Sequence, residues 1–305
     1  MGKKGKKAQA GKPKKLTPKD ISKKLDALAK KLEEELEGAD LFAPMPPTED
    51  CSICFVPLPR VPGKSCYQPC CGKLICGGCA RENEAIIMIQ NQKNAGKKDK
   101  PVIRKSCPFC RAPAPSSYGE VMRRCEERKL HNDYGALDVM AGMFYFGSYG
   151  QTIDEMKALD YYIQATELGS VSSPTEISTI YRHGDLITAN ADREIMFTRV
   201  AAIRGCIQAR HNLGSLEYRR CNHEAGIRHW KIAAECGSQV SLNHIRDIYN
   251  ADGKEPGNEF ISKEDLDKLY RACHEVQEEV ENEERKKHSV LEDDKIQMLR
   301  FPSLY

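Results

Sequence analysis

The sequence has little with which to build one large aromatic core, and it lacks the marks of the common catalytic folds. Aromatic residues make up 7% of its 305 residues, tryptophan occurs once, and 30% of residues are charged. The length suits one to three domains. No apolar run approaches the ~18 residues of a membrane span. The charged N-terminus has no apolar segment behind it, so no secretory signal is expected. Lys6 stands where a myristoylation signal at Gly2 wants Ser or Thr. There is no glycine-rich phosphate loop, no GxSxG elbow and no HExxH helix. Histidine is missing from the first 130 residues; all eight lie downstream.

Charge of one sign is scarce overall but not locally. Residues 1–31 hold twelve lysines and two aspartates, a net +10 against +3 for the whole chain, so the remainder is net −7. Residues 1–16 are Lys-, Gly- and Pro-rich, and a disordered basic tail is expected there. Such a tail is solvated charge, or an electrostatic handle for RNA, acidic lipid or an import receptor. It has no interleaved aromatics on which bases could stack.

Fourteen cysteines are many for a chain expected to be intracellular, in cytoplasm or nucleus. Nine fall between Cys51 and Cys110, and in a reducing compartment such a cluster reads as metal ligands rather than disulfides. Three CxxC pairs stand out: Cys51–Cys54, Cys76–Cys79 and Cys107–Cys110. Two spacer residues let both sulfurs of a turn reach one metal about 2.3 Å away. Eight thiolates would fill two closed tetrahedral zinc sites with no open position for substrate, hence structural rather than catalytic metal. Cys66, Cys70 and Cys71 lie between the first two pairs, so Cys66 and Cys70 compete for one place. A module of this size has a small core, and metal would supply on the order of 10 kcal/mol of folding free energy per site.

Over residues 51–115 this ordering resembles the RING finger, a cross-braced double-zinc α+β domain that recruits ubiquitin-conjugating enzymes. The resemblance implies that Cys51, Cys54, Cys76 and Cys79 hold one zinc, and Cys70, Cys71, Cys107 and Cys110 the other. This would be an all-cysteine variant. Its adjacent Cys70-Cys71 stands where one spacer residue is normal, which keeps Cys66 as the alternative to Cys70. The resemblance also makes Ile53 and Pro108 contacts to a conjugating enzyme. It gives Arg111 the catalytic role of positioning the ubiquitin-loaded enzyme, for which a planar guanidinium suits because it reaches two partners. The plain alternatives are packing for Ile53 and solvated charge for Arg111. In the insert between Cys79 and Cys107, residues 81–94 read as a helix with Ile86, Ile87 and Ile89 near the core, followed by a basic loop at 93–100.

Helical patterns dominate elsewhere. Residues 17–38 form an amphipathic helix, with Thr17 and Asp20 as a capping box, Pro18 in the first turn, and a stripe of Ile21, Leu25, Leu28, Leu32 and Leu36 able to pair as a coiled coil. Residues 39–50, with PMPP at 44–47, read as a linker. Over residues 130–252 three segments end alike: Ala165-Thr-Glu-Leu-Gly169, Ala201-Ala-Ile-Arg-Gly205 and Ala233-Ala-Glu-Cys-Gly237. A period of 32–36 residues with two helices per unit predicts an all-α solenoid. Together with Ala141-Gly-Met-Phe-Tyr-Phe-Gly147 these motifs resemble Sel1-like repeats, relatives of the tetratricopeptide repeat, in three units and a partial fourth. The resemblance implies a scaffold that grips a protein substrate or partner, with Arg210, Arg219 and Arg220 as exposed candidates. Cys206, Cys221, Cys236 and Cys273 fall on helical stripes as small core residues, whereas Cys125 falls in a charged connector. Residues 262–286 read as an acidic helix capped by Ser262, with a stripe of Leu266, Leu269, Cys273, Val276 and Val280, placed to serve as a solenoid cap.

The functional expectation is a RING-type ubiquitin ligase whose zinc module recruits a conjugating enzyme and whose repeats bind substrate. The alternative is a non-catalytic, zinc-dependent protein-interaction scaffold.

Overall fold

Thr17 opens the first helix as its sequence dictates. Its hydroxyl accepts the Asp20 N–H while the Asp20 carboxylate accepts the Thr17 N–H, and α1 runs Pro18–Leu36. The computed structural model describes residues 16–61, 63–95, 102–148, 152–251 and 256–292, with side chains only up to residue 279 of the last stretch. The expected basic tail, the end of the 93–100 loop and Val280 therefore lie outside the described residues. No helix among them is long and apolar enough to cross a membrane.

After α1 come a two-stranded antiparallel hairpin and a helix. β1 (Ser65–Gln68) pairs with β2 (Lys73–Cys76), Cys66 facing Ile75, and α2 (Gly77–Asn94) follows directly. Ile87 is buried, but Ile86 points to solvent, contrary to its expected place near the core. The four-residue apolar run 86–89 spreads over about 300° of the helix, so part of it must face outward.

The charged connector is a helix. Ser117 caps α3 (Tyr118–Lys129), which buries Val121 and Cys125. Cys125 is thus a core residue. The spacing of four between Val121 and Cys125 carries this face, and the surrounding charges mask it.

Four helix pairs follow: α4 (Tyr134–Phe146) with α5 (Glu155–Glu167), α6 (Ser173–His183) with α7 (Ala191–Ile203), α8 (Ile207–Arg219) with α9 (His223–Glu235), and α10 (Gln239–Asn250) with α11 (Lys263–Glu292). The repeat is physical. Gly169, Gly205 and Gly237 take φ values of 94°, 100° and 93°, the left-handed region that glycine enters freely. The next N–H returns each time to the repeated alanine: Ser170 to Ala165 O, Cys206 to Ala201 O, Ser238 to Ala233 O, all within 2.9–3.0 Å. The same residue's side chain then accepts an N–H three residues on, at the start of the next helix. Ser170 Oγ, Cys206 Sγ and Ser238 Oγ accept the N–H groups of Ser173, Ala209 and Ser241. Ala165, Ala201 and Ala233 have no exposed surface, so each helix crosses its neighbour closely.

Helices α1 and α11 both close on this stack. α1 lies across α5 and α7 and spends its stripe there, with Ile21, Leu25, Leu28 and Leu32 all buried. Its leucines are therefore not free to pair as a coiled coil. Lys24 reaches Asp160, and Arg204 forks onto Glu35 at 2.9 and 2.7 Å. Residues 39–50, expected as a linker, touch the helices at two side chains: Phe42 stacks on His229 and Met45 is buried with Ile207 and Ala233. Ser262 Oγ caps α11 at Asp265 N, and Leu266, Leu269 and Cys273 pack on α9 and α10. Cys221 is exposed instead of in the core, since it sits past α8 in a left-handed turn (φ 63°).

One half-buried carboxylate sets a pH dependence. Asp138 on α4 accepts hydroxyls from Ser170, Ser172 and Ser173. Burial outweighs these bonds and pushes its carboxyl up to about 6. Between the unfolded value near 4 and 6 the folded chain keeps a proton that the unfolded chain has released, so this group's stabilisation is present at low pH and is lost as pH rises through 6. From pH 5.5 to 7.5 it should cost the fold about 1 kcal/mol. Asp138→Asn, whose amide the rotatable serine hydroxyls can also meet, should remove that component in thermal unfolding at the two pH values and leave the fold more stable at pH 7.5.

Candidate metal centre

The cysteine module contains one local structure twice. In the first copy Cys51 N donates to Val56 O at 2.8 Å, Phe55 N to Cys51 O at 2.9 Å and Leu58 N to Glu49 O at 2.8 Å. In the second, Cys107 N donates to Ala112 O at 2.8 Å, Arg111 N to Cys107 O at 3.0 Å and Ala114 N to Lys105 O at 2.8 Å. Isolated bridges Asp50↔Pro57 and Ser106↔Pro113 close each loop at the same place. Every residue of one loop corresponds to the residue 56 positions on. Phe55 and Arg111 follow the second cysteine of each pair, and both hold left-handed φ values, 59° and 62°. An L side chain adopts that region at a cost of roughly 1 kcal/mol, offset here by the loop's hydrogen bonds.

These two loops bring their sulfurs to partners from the hairpin. Cys51, Cys54, Cys76 and Cys79 form one tetrad and Cys70, Cys71, Cys107 and Cys110 the other, with ligand atoms in each within 4.8 Å of one another. The tetrads interleave along the chain. Cys54 and Cys76 sulfurs are 3.8 Å apart, Cys71 and Cys107 3.9 Å, and Cys110 and Cys70 3.4 Å. A tetrahedron with bonds of about 2.3 Å has edges of about 3.8 Å, so the spacing fits one ion in each. Backbone N–H groups already face the sulfurs, Cys76 N at 3.2 Å from Cys51 Sγ and Cys79 N at 3.4 Å from Cys76 Sγ.

The electrostatics suit a cation. Burial pushes the Cys51 thiol up, but N–H groups of Cys54, Cys76 and Ile53 outweigh it and bring it to about 7. Burial and the neighbouring sulfurs of Cys110 and Cys107 push Cys70 up, and burial with the Cys107 charge takes Cys71 to about 11. Close thiols resist sharing negative charge, and a divalent ion relieves that repulsion by taking all four as thiolates. Four sulfur donors suit a borderline-soft tetrahedral cation.

Adjacent cysteines reach one tetrad because Cys71 N and Gly72 N both turn back to Gln68 O and Gly72 adopts φ 70°. A Cβ on Gly72 would lie 2.2 Å from Arg128 Nη2. Cys66 lies outside both tetrads, on β1, packed against the hairpin core. Ile53 and Pro108 sit inside the two loops, half-buried, and Arg111 is exposed. The most exposed apolar groups of the loops, Phe55 and Phe109, are not singled out by the spacing; the position after a CxxC, which takes a left-handed turn, is the signal for Phe55.

The module is seated on the array through one carboxylate. Asp133 caps α4 by accepting from Gly135 N and Ala136 N, takes the Tyr67 hydroxyl of β1 at 2.7 Å, and takes Arg128 Nε of α3 at 2.9 Å. Arg124 adds a bond to Pro113 O beside the second loop. On the array, Arg219 and Arg220 are exposed as expected, but Arg210 is 1% exposed. Its guanidinium turns inward to Ala202 O at 3.0 Å and to Leu41 O, because residues 40–46 cover it.

No family model matches the sequence, and no curated protein matches it. Among solved structures, a Sel1 repeat protein from Oxalobacter formigenes aligns over 51% of this chain and 63% of its own, at 19% identity and TM-score 0.42. A protective antigen of uropathogenic Escherichia coli strains with an SLR fold aligns over 62% of this chain and 55% of its own, at 12% identity and TM-score 0.40. A Pseudomonas aeruginosa protein aligns over 54% of this chain and 78% of its own, at 13% identity and TM-score 0.32. The chain thus spans under two thirds of the length of the first two.

Native mass spectrometry separates the competing ligands. Two divalent ions per chain are expected for the unmodified protein, one for Cys70→Ser and two for Cys66→Ser; two ions in Cys70→Ser would remove Cys70 from the set.

Proposed function

We propose that this protein is a zinc-dependent protein-interaction scaffold, a cross-braced metal module fixed to a Sel1-like helical array. The observation that carries this reading is the pair of interleaved sulfur tetrads seated through Asp133 on the end of the helix stack. Zinc is the natural occupant, having no geometric demand beyond the tetrahedron that four thiolates supply, and its role there is to crosslink. The array contributes the binding faces and the module one rigid end. Removing zinc should therefore loosen more than its own loops. In hydrogen-exchange mass spectrometry, a strong chelator should raise exchange across β1, β2 and the start of α4, while α8–α10 stay protected. Unchanged protection of β1 would sink the structural-metal reading.

A second reading is favoured by the two matched loops: a RING-type ubiquitin ligase. Ile53 and Pro108, on corresponding loops, would take the conjugating enzyme, and Arg111, exposed just past the last sulfur, would hold ubiquitin against it. Transfer would pass directly from the conjugating enzyme to a substrate lysine, with catalysis by positioning. Autoubiquitination across a panel of conjugating enzymes should then appear, and Arg111→Ala and Ile53→Ala should each lower it at least ten-fold with two zinc ions retained. No chains with any enzyme leaves the scaffold reading alone.

A further inference from the structure

The strap that follows α1 is bound to the array as a ligand would be. Asp40 shapes it: Phe42 N donates to Asp40 Oδ1 at 2.8 Å and Ala43 N to Asp40 O at 3.2 Å, a side-chain-closed turn. The turn aims two groups at the helices. Leu41 O accepts from Arg210, and the Phe42 ring stacks on His229 at 4.7 Å with the Arg228 guanidinium 3.8 Å over its other face. Met45 is then buried against Ile207 and Ala233, and Arg60 clamps Pro46 O on one side and Gly205 O on the other.

Arg210 is the informative residue. It is a fully buried guanidinium whose bonded partners are main-chain carbonyls and the His229 ring, with no carboxylate among them and its Nε unmatched. Burying a charge in this way is costly unless its donors are met, and a ligand's carbonyl meets one of them here. The surrounding groups read as a binding site: a cation–π and ring-stacking slot for one aromatic side chain, an apolar seat three residues on, and a small-residue floor at Gly205. Beyond Pro47 the groove opens into a cavity of about 370 Å³ lined by Leu58, Arg60, Cys236 and Val276, with room for a ligand to continue.

We infer that the face built by α7, α8 and α9 is a peptide-binding groove occupied in cis by residues 40–46, and that its partner ligand is a short turn-forming peptide of the Asp-Leu-Phe-x-Pro-Met kind. The inference rests on the scaffold reading of the array and is independent of ligase activity. The strap, tethered on both sides, acts at an effective concentration in the millimolar range, so a free peptide competes only when the strap is weakened. The strap also leads within four residues into Cys51, so a partner that displaces it pulls on the first tetrad.

The test uses a fluorescein-labelled peptide of residues 38–47 and the zinc-loaded full chain, read by fluorescence anisotropy. Phe42→Ala/Met45→Ala in the strap should open the groove. The peptide should bind this form at least ten-fold more tightly than the unmodified chain, and Arg228→Ala, a surface change, should weaken it about five-fold in the opened background. A labelled peptide carrying the same two alanines should not bind. Equal affinity for the opened and unmodified chains, or no binding to a folded opened chain, would overturn the inference. Should the double variant unfold, Phe42→Ala alone is held to the same ten-fold gap.

Discussion

One carboxylate is the hub at which the cysteine module, α3 and α4 meet. Asp133 does three things at once: it satisfies the first free N–H groups of α4, accepts the Tyr67 hydroxyl and pairs with Arg128. Each alone is worth on the order of 1 kcal/mol. Together they fix the hairpin that carries three of the eight sulfurs, Cys70, Cys71 and Cys76, at one place on the helix stack. The space beneath is equally constrained, since a Cβ on Gly135 would meet the Tyr67 ring at 2.6 Å and one on Gly72 would meet Arg128 and Asp133. Glycine suits both positions because a side chain from across the junction lies directly on the main chain there, Tyr67 on Gly135 and Arg128 on Gly72.

What the sequence shows best are features written in short, local chemistry. The Thr17–Asp20 box, the three alanine-to-glycine endings and the CxxC pairs each carry their own geometry, and the structure returns each as hydrogen bonds or close sulfurs. The serine or cysteine after each glycine, whose side chain accepts an N–H at the start of the following helix, is equally local and equally readable. Its regularity is hidden because Ser170, Cys206 and Ser238 differ in name while sharing one acceptor role.

What was illegible depends on long-range burial. Arg210 carries the composition of a surface residue, and only the covering strap makes it a buried one. Residues 39–50 look like a linker because of their PMPP run, yet Phe42 and Met45 find seats on α8 and α9. Cys125 is hidden among seven charged neighbours on α3, and its burial follows from α4 lying alongside. Ile86, Ile87 and Ile89 show the converse limit, where an apolar run overfills the face it can use.

The ion pairs of α1 have a bearing on synthesis. Lys24 with Asp160, Glu33 with Arg193 and Glu35 with Arg204 join residues 136 to 169 apart in sequence. At about 5–20 residues per second, roughly 7 to 34 seconds separate the emergence of α1 from the ribosome and that of its seat. For that interval an apolar stripe of leucines waits without a surface to cover, next to a run of lysines that keeps it soluble. The docking of the first helix thus waits on α7.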